Sequence, residues 1–230
     1  MKRGLSRMVA VASLAAIGIS GSAVAQDEDD VSVEGLYQAA ANLTLGGQHK
    51  EASEKFEKMF DLSGGSETLA EDYGAQAGGF YFDYGLTLLP QQRWNDAKEA
   101  FATCIGFAEL AKKVESPIKS TNARESLAKY QLGFCEAQLG NHEEAVRLYE
   151  EYINSNPAQG ELAQIRNGFK LRMGTSLMKL GRVAEGTASV QELFDNRVEW
   201  QVSPQILMQG ILEMGLNWVD DANAAGTDEA

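Results

Sequence analysis

The chain has 230 residues, is 44% hydrophobic and 23% charged, and carries 23 glycines against 4 prolines. This composition excludes a disordered or collagen-like chain and fits one or two globular domains. A formal net charge of −13 makes nucleic acid and anionic lipid poor partners, because both would repel it; it favours basic partners or divalent cations, or serves only to keep the protein soluble.

Residues 1–25 differ from the rest. Lys2, Arg3 and Arg7 precede an apolar run from Met8 to Ile19, and Ala23-Val24-Ala25 follows as a small-x-small site. This pattern is that of a secretory signal peptide, and its Ala-rich run points to a bacterial one. The run is short for a bilayer, which needs about 20 apolar residues. The expected address is therefore periplasmic or secreted, with no membrane insertion after cleavage. Losing Lys2, Arg3 and Arg7 makes the mature chain three charges more negative than −13. Residues 26–32 form an acidic flexible segment, and 223–230 an acidic flexible tail.

From Val33 the chain reads as paired amphipathic helices. Leu36, Ala39, Ala40 and Leu43 share one face, Gly46-Gly47 breaks the helix, and Ala52, Phe56, Met59 and Phe60 share the next face. A loop at Ser63–Ser66 precedes a long helix expected over Glu67 to Leu89, broken near Gly78-Gly79. Tyr81, Tyr84, Gly85 and Leu88 form its face, and Pro90 ends it. Trp94 to Lys113 is the partner helix, with Ala97, Phe101 and Cys104 on one side.

The central pair, Ser126 to Gln159, is the clearest. Leu132, Cys135 and Leu139 recur at helical spacing with Gly133 and Ala137 beside them. Gly140 suits the left-handed helix end, and Asn141 is the expected cap of the next helix. Ala145, Leu148, Tyr149, Tyr152 and Ile153 follow an i, i+3, i+4, i+7, i+8 stripe. A fourth pair carries Leu171, Met173, Gly174 and Leu177, then Gly181, then Gly186, Val190 and Leu193. Gly186 is a weak helix former, so this helix is expected to be loose. Ser203-Pro204 opens a last helix. Leu207, Ile211, Met214 and Trp218 are its expected buried seam, and Gln205, Gln209, Glu213 and Asp220 its wet side.

These residues resemble tetratricopeptide (TPR) repeats, units of roughly 34 residues built from two antiparallel helices. In that family, small residues such as Gly133 and Ala145 let the helices approach, and an aromatic such as Tyr149 fills the gap. Lys129 and Glu136 depart from the pattern, standing where bulky apolar or aromatic residues are usual. The equivalent small residues Ala52, Ala97, Ala145 and Gly186 recur at steps of 45, 48 and 41. The excess predicts lengthened helices at the joints. The resemblance implies an all-α, helical-hairpin solenoid over 33–222: about four TPR-like repeats plus a C-terminal capping helix.

It also implies a protein-interaction scaffold or adaptor of the cell envelope, binding a peptide or helix in a concave groove lined by the first helix of each pair. Tyr37, Phe82, Leu86, Tyr130, Phe134, Leu171 and Met178 fall on that lining. Two readings stand for this stripe: a groove that anchors a partner, or core buried by the longer helices. The family's grip on a C-terminal carboxylate uses Lys, Asn and Arg, and Tyr130 and Phe134 occupy two of those places. A further reading makes the repeats an accessory domain delivering substrate to an envelope enzyme or transporter.

No motif selects a catalytic group, a cofactor or a metal site. His49 and His142 share an equivalent inter-helix turn, and the carboxylates spread along wet helix faces. Cys104 and Cys135 lie on neighbouring elements. In an oxidising compartment they form a disulfide if their Cα atoms come within about 7 Å, and otherwise serve as small buried hydrophobes.

Overall fold

A computed structural model describes residues 32–113, 120–155 and 163–227. The expected signal segment, residues 26–31, Pro117 and Pro157 lie outside this range. Among the described residues ten α-helices follow in order, with no strand. Helices α1 (Val33–Leu45) and α2 (His49–Ser63) form the first pair. A short α3 (Ser66–Tyr73) and a 3-10 turn (Gly74–Gln76) lead to α4 (Ala77–Leu88), which pairs with α5 (Trp94–Lys113). Helices α6 (Ser120–Gln138) and α7 (His142–Ser155) form the third pair, α8 (Ala163–Lys179) and α9 (Val183–Asp195) the fourth. Helix α10 (Pro204–Thr227) closes the series.

The turn inside each pair is made the same way. A left-handed residue stands just beyond each first helix, after the 3-10 turn Leu89–Gln91 in the second pair: Gly47, Gln92, Gly140 and Gly181, with φ of 75°, 59°, 84° and 76°. Its N–H donates to the carbonyl three residues back, and the next N–H to the carbonyl five back. In the central pair these bonds run from Gly140 to Ala137 at 3.2 Å and from Asn141 to Glu136 at 2.9 Å. Two orphan carbonyls are thereby satisfied, and the chain is turned back on itself. The second pair does this with Gln92, a residue that tolerates the left-handed region less well than glycine. At the N-terminus, Ser32 caps α1 by accepting from the Gly35 N–H at 3.0 Å.

Turned back, the helices meet where one of them lacks a side chain. A Cβ placed on Gly85 would lie 2.7 Å from the Phe101 ring, and one on Gly133 would lie 2.4 Å from the Tyr149 ring. Phe56, Phe101 and Tyr149 are fully buried. Helices then pack on their chain neighbours, so the described core is a row of clusters along the solenoid.

Several expectations change. The long helix breaks at Gly74 (φ 53°, ψ −127°), not at Gly78-Gly79. Gly78 and Gly79 are buried within α4, where they let Phe107 and Arg124 come close. Part of the first long repeat step is thus an extra helix, α3, and part of the second is the length of α5, 20 residues, and α6, 19 residues. Gly186 does not loosen α9. An added Cβ would lie 2.6 Å from the Gly174 carbonyl oxygen, and one on Gly174 2.9 Å from that of Gly186. These two backbones touch, so this pair is close because both residues are glycine.

Helix α10 is rotated from its expected seam. Gly210 is buried against Val190, and Ile206, Leu207 and Met214 pack on the last cluster. Ile211 is 57% exposed, with Met208 at 70% and Leu212 at 51% on the same side. The close approach permitted by Gly210 sets the rotation, which the apolar spacing alone leaves open. Trp218 and Asp220 have side chains outside the described set. Helix α10 also continues through Thr227, so the segment from Asn223 begins as helix, in keeping with the helix propensity of Ala224 and Ala225. No helix among the described residues is long and apolar enough to cross a membrane.

Gly133→Ala is expected to lower stability by about 1–3 kcal/mol through overpacking against Tyr149. Gly106→Ala, in α5 with nothing within 4 Å of the added carbon, should raise it by about 0.5–1 kcal/mol through helix propensity. Thermal melts followed by circular dichroism check both, and equal effects would overturn the close-approach account.

Candidate interaction face

The first helices α1, α4, α6 and α8 each touch the next, forming one continuous side of the row. The side chains expected there divide into two groups. Phe82, Leu171 and Met178 are buried. Phe82 turns into the α4–α5 contact, edge-on to Phe101 at 5.8 Å between ring centres. Met178 lies where a Cβ on Gly186 would meet its Cγ at 2.5 Å, and Leu171 joins the last cluster beside Gly210. These three are core, because the glycine contacts draw the helices close enough to cover them.

Tyr37, Leu86, Tyr130 and Phe134 are half-buried and stay at the face. Tyr37 packs on Phe80 at 4.7 Å between ring centres. Its hydroxyl donates to Asp83 Oδ2 at 2.7 Å, tying α1 to α4. Burial raises the Asp83 pKa, against the lowering effects of the Tyr37 hydrogen bond and the Arg124 charge. Tyr130 packs edge-on against Phe169 at 5.2 Å. Phe134 meets Trp94 edge-on at 5.8 Å, so a residue from α5 joins the patch.

The centre of the patch is Arg172 of α8. Its Nε donates to the Tyr130 hydroxyl at 3.2 Å, and its guanidinium carbon lies 4.6 Å from the Phe134 ring centre. Burial alone would lower the Arg172 pKa. Tyr130, Tyr149 and Glu213 outweigh that effect and keep the group charged. Near it, the hydroxyl of the fully buried Tyr149 has no hydrogen-bond partner among the described residues. Leu86, Trp94, Tyr130, Phe134 and Arg172 thus make a patch that is apolar and aromatic around one cation. Periodicity shows which residues share a helix side. It does not show that Trp94, from a second helix, and Arg172 close over Phe134.

Other buried polar groups are accounted for by packing. Glu136, in place of the usual apolar residue, is 6% exposed and accepts from Lys98 Nζ at 2.8 Å and from Asn141 Nδ2 at 2.8 Å. The Asn141 side chain thus serves Glu136, tying α6 to α5 and to its own turn. Lys129 pairs with Glu125 at 3.1 Å. Cys104 and Cys135 are free thiols, not a disulfide, and both sit in the core shared by α4, α5 and α6. Burial pushes each thiol up to about 12, far from a reactive thiolate. His49 and His142 start α2 and α7. No group of three or more His, Cys, Asp or Glu among the described residues could hold a metal.

Residues 127–158 match the family model described as a tetratricopeptide repeat. The chain is similar in structure to a crystal structure described as a Podosopora anserina kinesin light chain with nearly identical TPR-like repeats. The TM-score is 0.57 at 12% identity, covering 86% of this chain and 90% of that one. A single-substitution form of that same protein gives a TM-score of 0.59 at 13% identity, with 86% and 90% covered. The fold is a TPR-like helical solenoid. No curated protein matches the sequence. The match centred on α6 and α7 places Tyr130 and Phe134 within the best-defined repeat.

Asp83→Asn preserves an acceptor for Tyr37 and removes the titration. Because burial raises the folded pKa of Asp83, its contribution is fully present below the unfolded value of about 4 and is lost as pH rises through the folded value. Wild type should therefore lose stability relative to Asp83→Asn as pH rises from about 4 toward neutrality. Urea unfolding of both proteins across that range checks this, and a pH-independent difference would overturn it.

Proposed function

We propose that this chain is a non-enzymatic protein-interaction scaffold, and that it binds a peptide or helix of its partner on the face formed by α1, α4, α6 and α8. TPR repeats generally mediate protein–protein contacts, which supports the general reading. One observation carries the finer one. Leu86, Trp94, Tyr130 and Phe134 remain half-buried on one side while Phe82, Leu171 and Met178 are withdrawn into the core. Aromatic residues presented this way are the usual anchors of binding energy, and a helix or extended segment fits along adjoining helices.

The pattern of residues 1–25 supports action in the cell envelope after export. The net charge of −13 gives a field that draws basic partners over long range and leaves the apolar patch to hold them.

The test is a pair of substitutions, Leu86→Ala and Phe134→Ala, combined in one protein. Both side chains are partly exposed, so the cost in stability is expected to stay near 1–3 kcal/mol with helicity unchanged. Loss of partners co-purified from the envelope, with the circular dichroism spectrum retained, supports the proposal. Unfolding of the double variant, or undiminished capture, would count against it.

A further inference from the structure

Arg172 is out of keeping with its setting. The chain is strongly acidic, and several cations elsewhere on its helices are matched by carboxylates. Lys170 pairs with Glu192 at 2.6 Å, Arg182 with Glu185 at 2.6 Å, Lys98 with Glu136 at 2.8 Å and Arg147 with Glu144 at 2.7 Å. Arg172 makes no such contact pair among the described residues, although the Glu213 charge favours its charged form. Its contacts are a neutral hydroxyl on Tyr130 and the ring face of Phe134. A guanidinium taken partly out of water with no carboxylate in contact leaves N–H donors to be satisfied, and it costs stability unless something restores its hydrogen bonds. It carries five N–H donors in a rigid fork, and the Tyr130 contact uses one of them.

The arrangement also fixes the group. Stacking on Phe134, which is itself braced by Trp94, and the bond to Tyr130 hold the plane of the fork. An arginine pre-set in this way loses little side-chain freedom when it forms a two-pronged contact. The unpartnered hydroxyl of Tyr149 lies in the same neighbourhood, within the influence of both Arg172 and Tyr130. This is a site short of acceptors and surrounded by apolar rings.

We infer that Arg172 reads an acidic side chain, Asp or Glu, set within an apolar stretch of the partner segment that lies on Leu86, Trp94 and Phe134. This rests on the binding face proposed above and names the chemistry that occupies it. The residue read is internal to the partner, because the site holds one cation and not the several polar groups needed to grip a chain end. A partner that is basic overall and carries one acid in its apolar segment satisfies both the long-range field and this contact. The acidic surface acts at a distance and is screened by salt, whereas Arg172 acts in partly desolvated contact.

The experiment is selection of random twelve-residue peptides, displayed internally so that neither end is free, on the purified protein. Selected sequences are then made as acetylated, amidated peptides and titrated by fluorescence anisotropy. Peptides carrying an Asp or Glu beside an aromatic or aliphatic residue are expected. Exchange of that acid for its amide should weaken binding about tenfold on the wild type, the effect of one charge-assisted contact. The same exchange should change binding less than about twofold on Arg172→Gln. Arg172→Lys, which retains the cation, should keep part of the preference, separating loss of charge from loss of packing. Peptides that depend on Phe134 but show no acid preference would overturn the Arg172 inference and leave the face intact. Binding gained only by a free terminal carboxylate would also overturn it. Failure to select any peptide that Phe134→Ala weakens would overturn the face itself.

Discussion

The structure depends on the distance between paired helices, which in the second, third and fourth pairs is set by a missing side chain. Gly85 opposite Phe101 and Gly133 opposite Tyr149 allow contacts that an added carbon would bring to 2.7 and 2.4 Å. In the fourth pair Gly174 and Gly186 bring the backbones themselves together. A short amphipathic helix is marginal alone. The first three pairs bury an aromatic residue fully, Phe56, Phe101 and Tyr149, the fourth buries Val190, and each presents a second surface for the next pair. The identical turns, with a left-handed residue closing two hydrogen bonds, fix the antiparallel direction that these contacts require.

The same constraint decides which side chains are free to bind. Close pairing withdraws Phe82, Leu171 and Met178 and leaves Leu86, Tyr130 and Phe134 at the face. It also places Arg172 over Phe134 and brings Trp94 to the ring's edge. The buried acid Glu136 follows from the same closeness. With α5 and α6 in contact, a carboxylate there is met by Lys98 and by the turn residue Asn141, so a polar residue occupies a normally apolar site without an unmet charge.

Much of the fold is legible because its signals are local. Helical spacing, turn glycines and the Ser203-Pro204 start each act over a few residues, and each corresponds to an element of the structure. The break falls at Gly74 and not at Gly78-Gly79 because a glycine pair reads the same whether it ends a helix or admits a neighbour. Here Phe107 and Arg124 fill the space. The face is legible only in part. Family spacing locates seven residues on one side of the first helices but does not separate Phe82 from Phe134, since burial depends on what packs from α5. Trp94 joins the patch from an element the spacing does not include.

The sequence by itself determined that the chain is all helical, where most helices begin and end, and that they pair through turns of one kind. These follow from backbone preferences and from side-chain periodicity, both of which are properties of short segments. Only the tertiary structure decided how closely the pairs approach and which way α10 is rotated. It alone decided that Cys104 and Cys135 lie as separate thiols in one core, and that the Arg172 guanidinium stands among the aromatic residues of the face. Each of these is a distance between residues far apart in the chain, and that distance is set by the volumes of the side chains that meet.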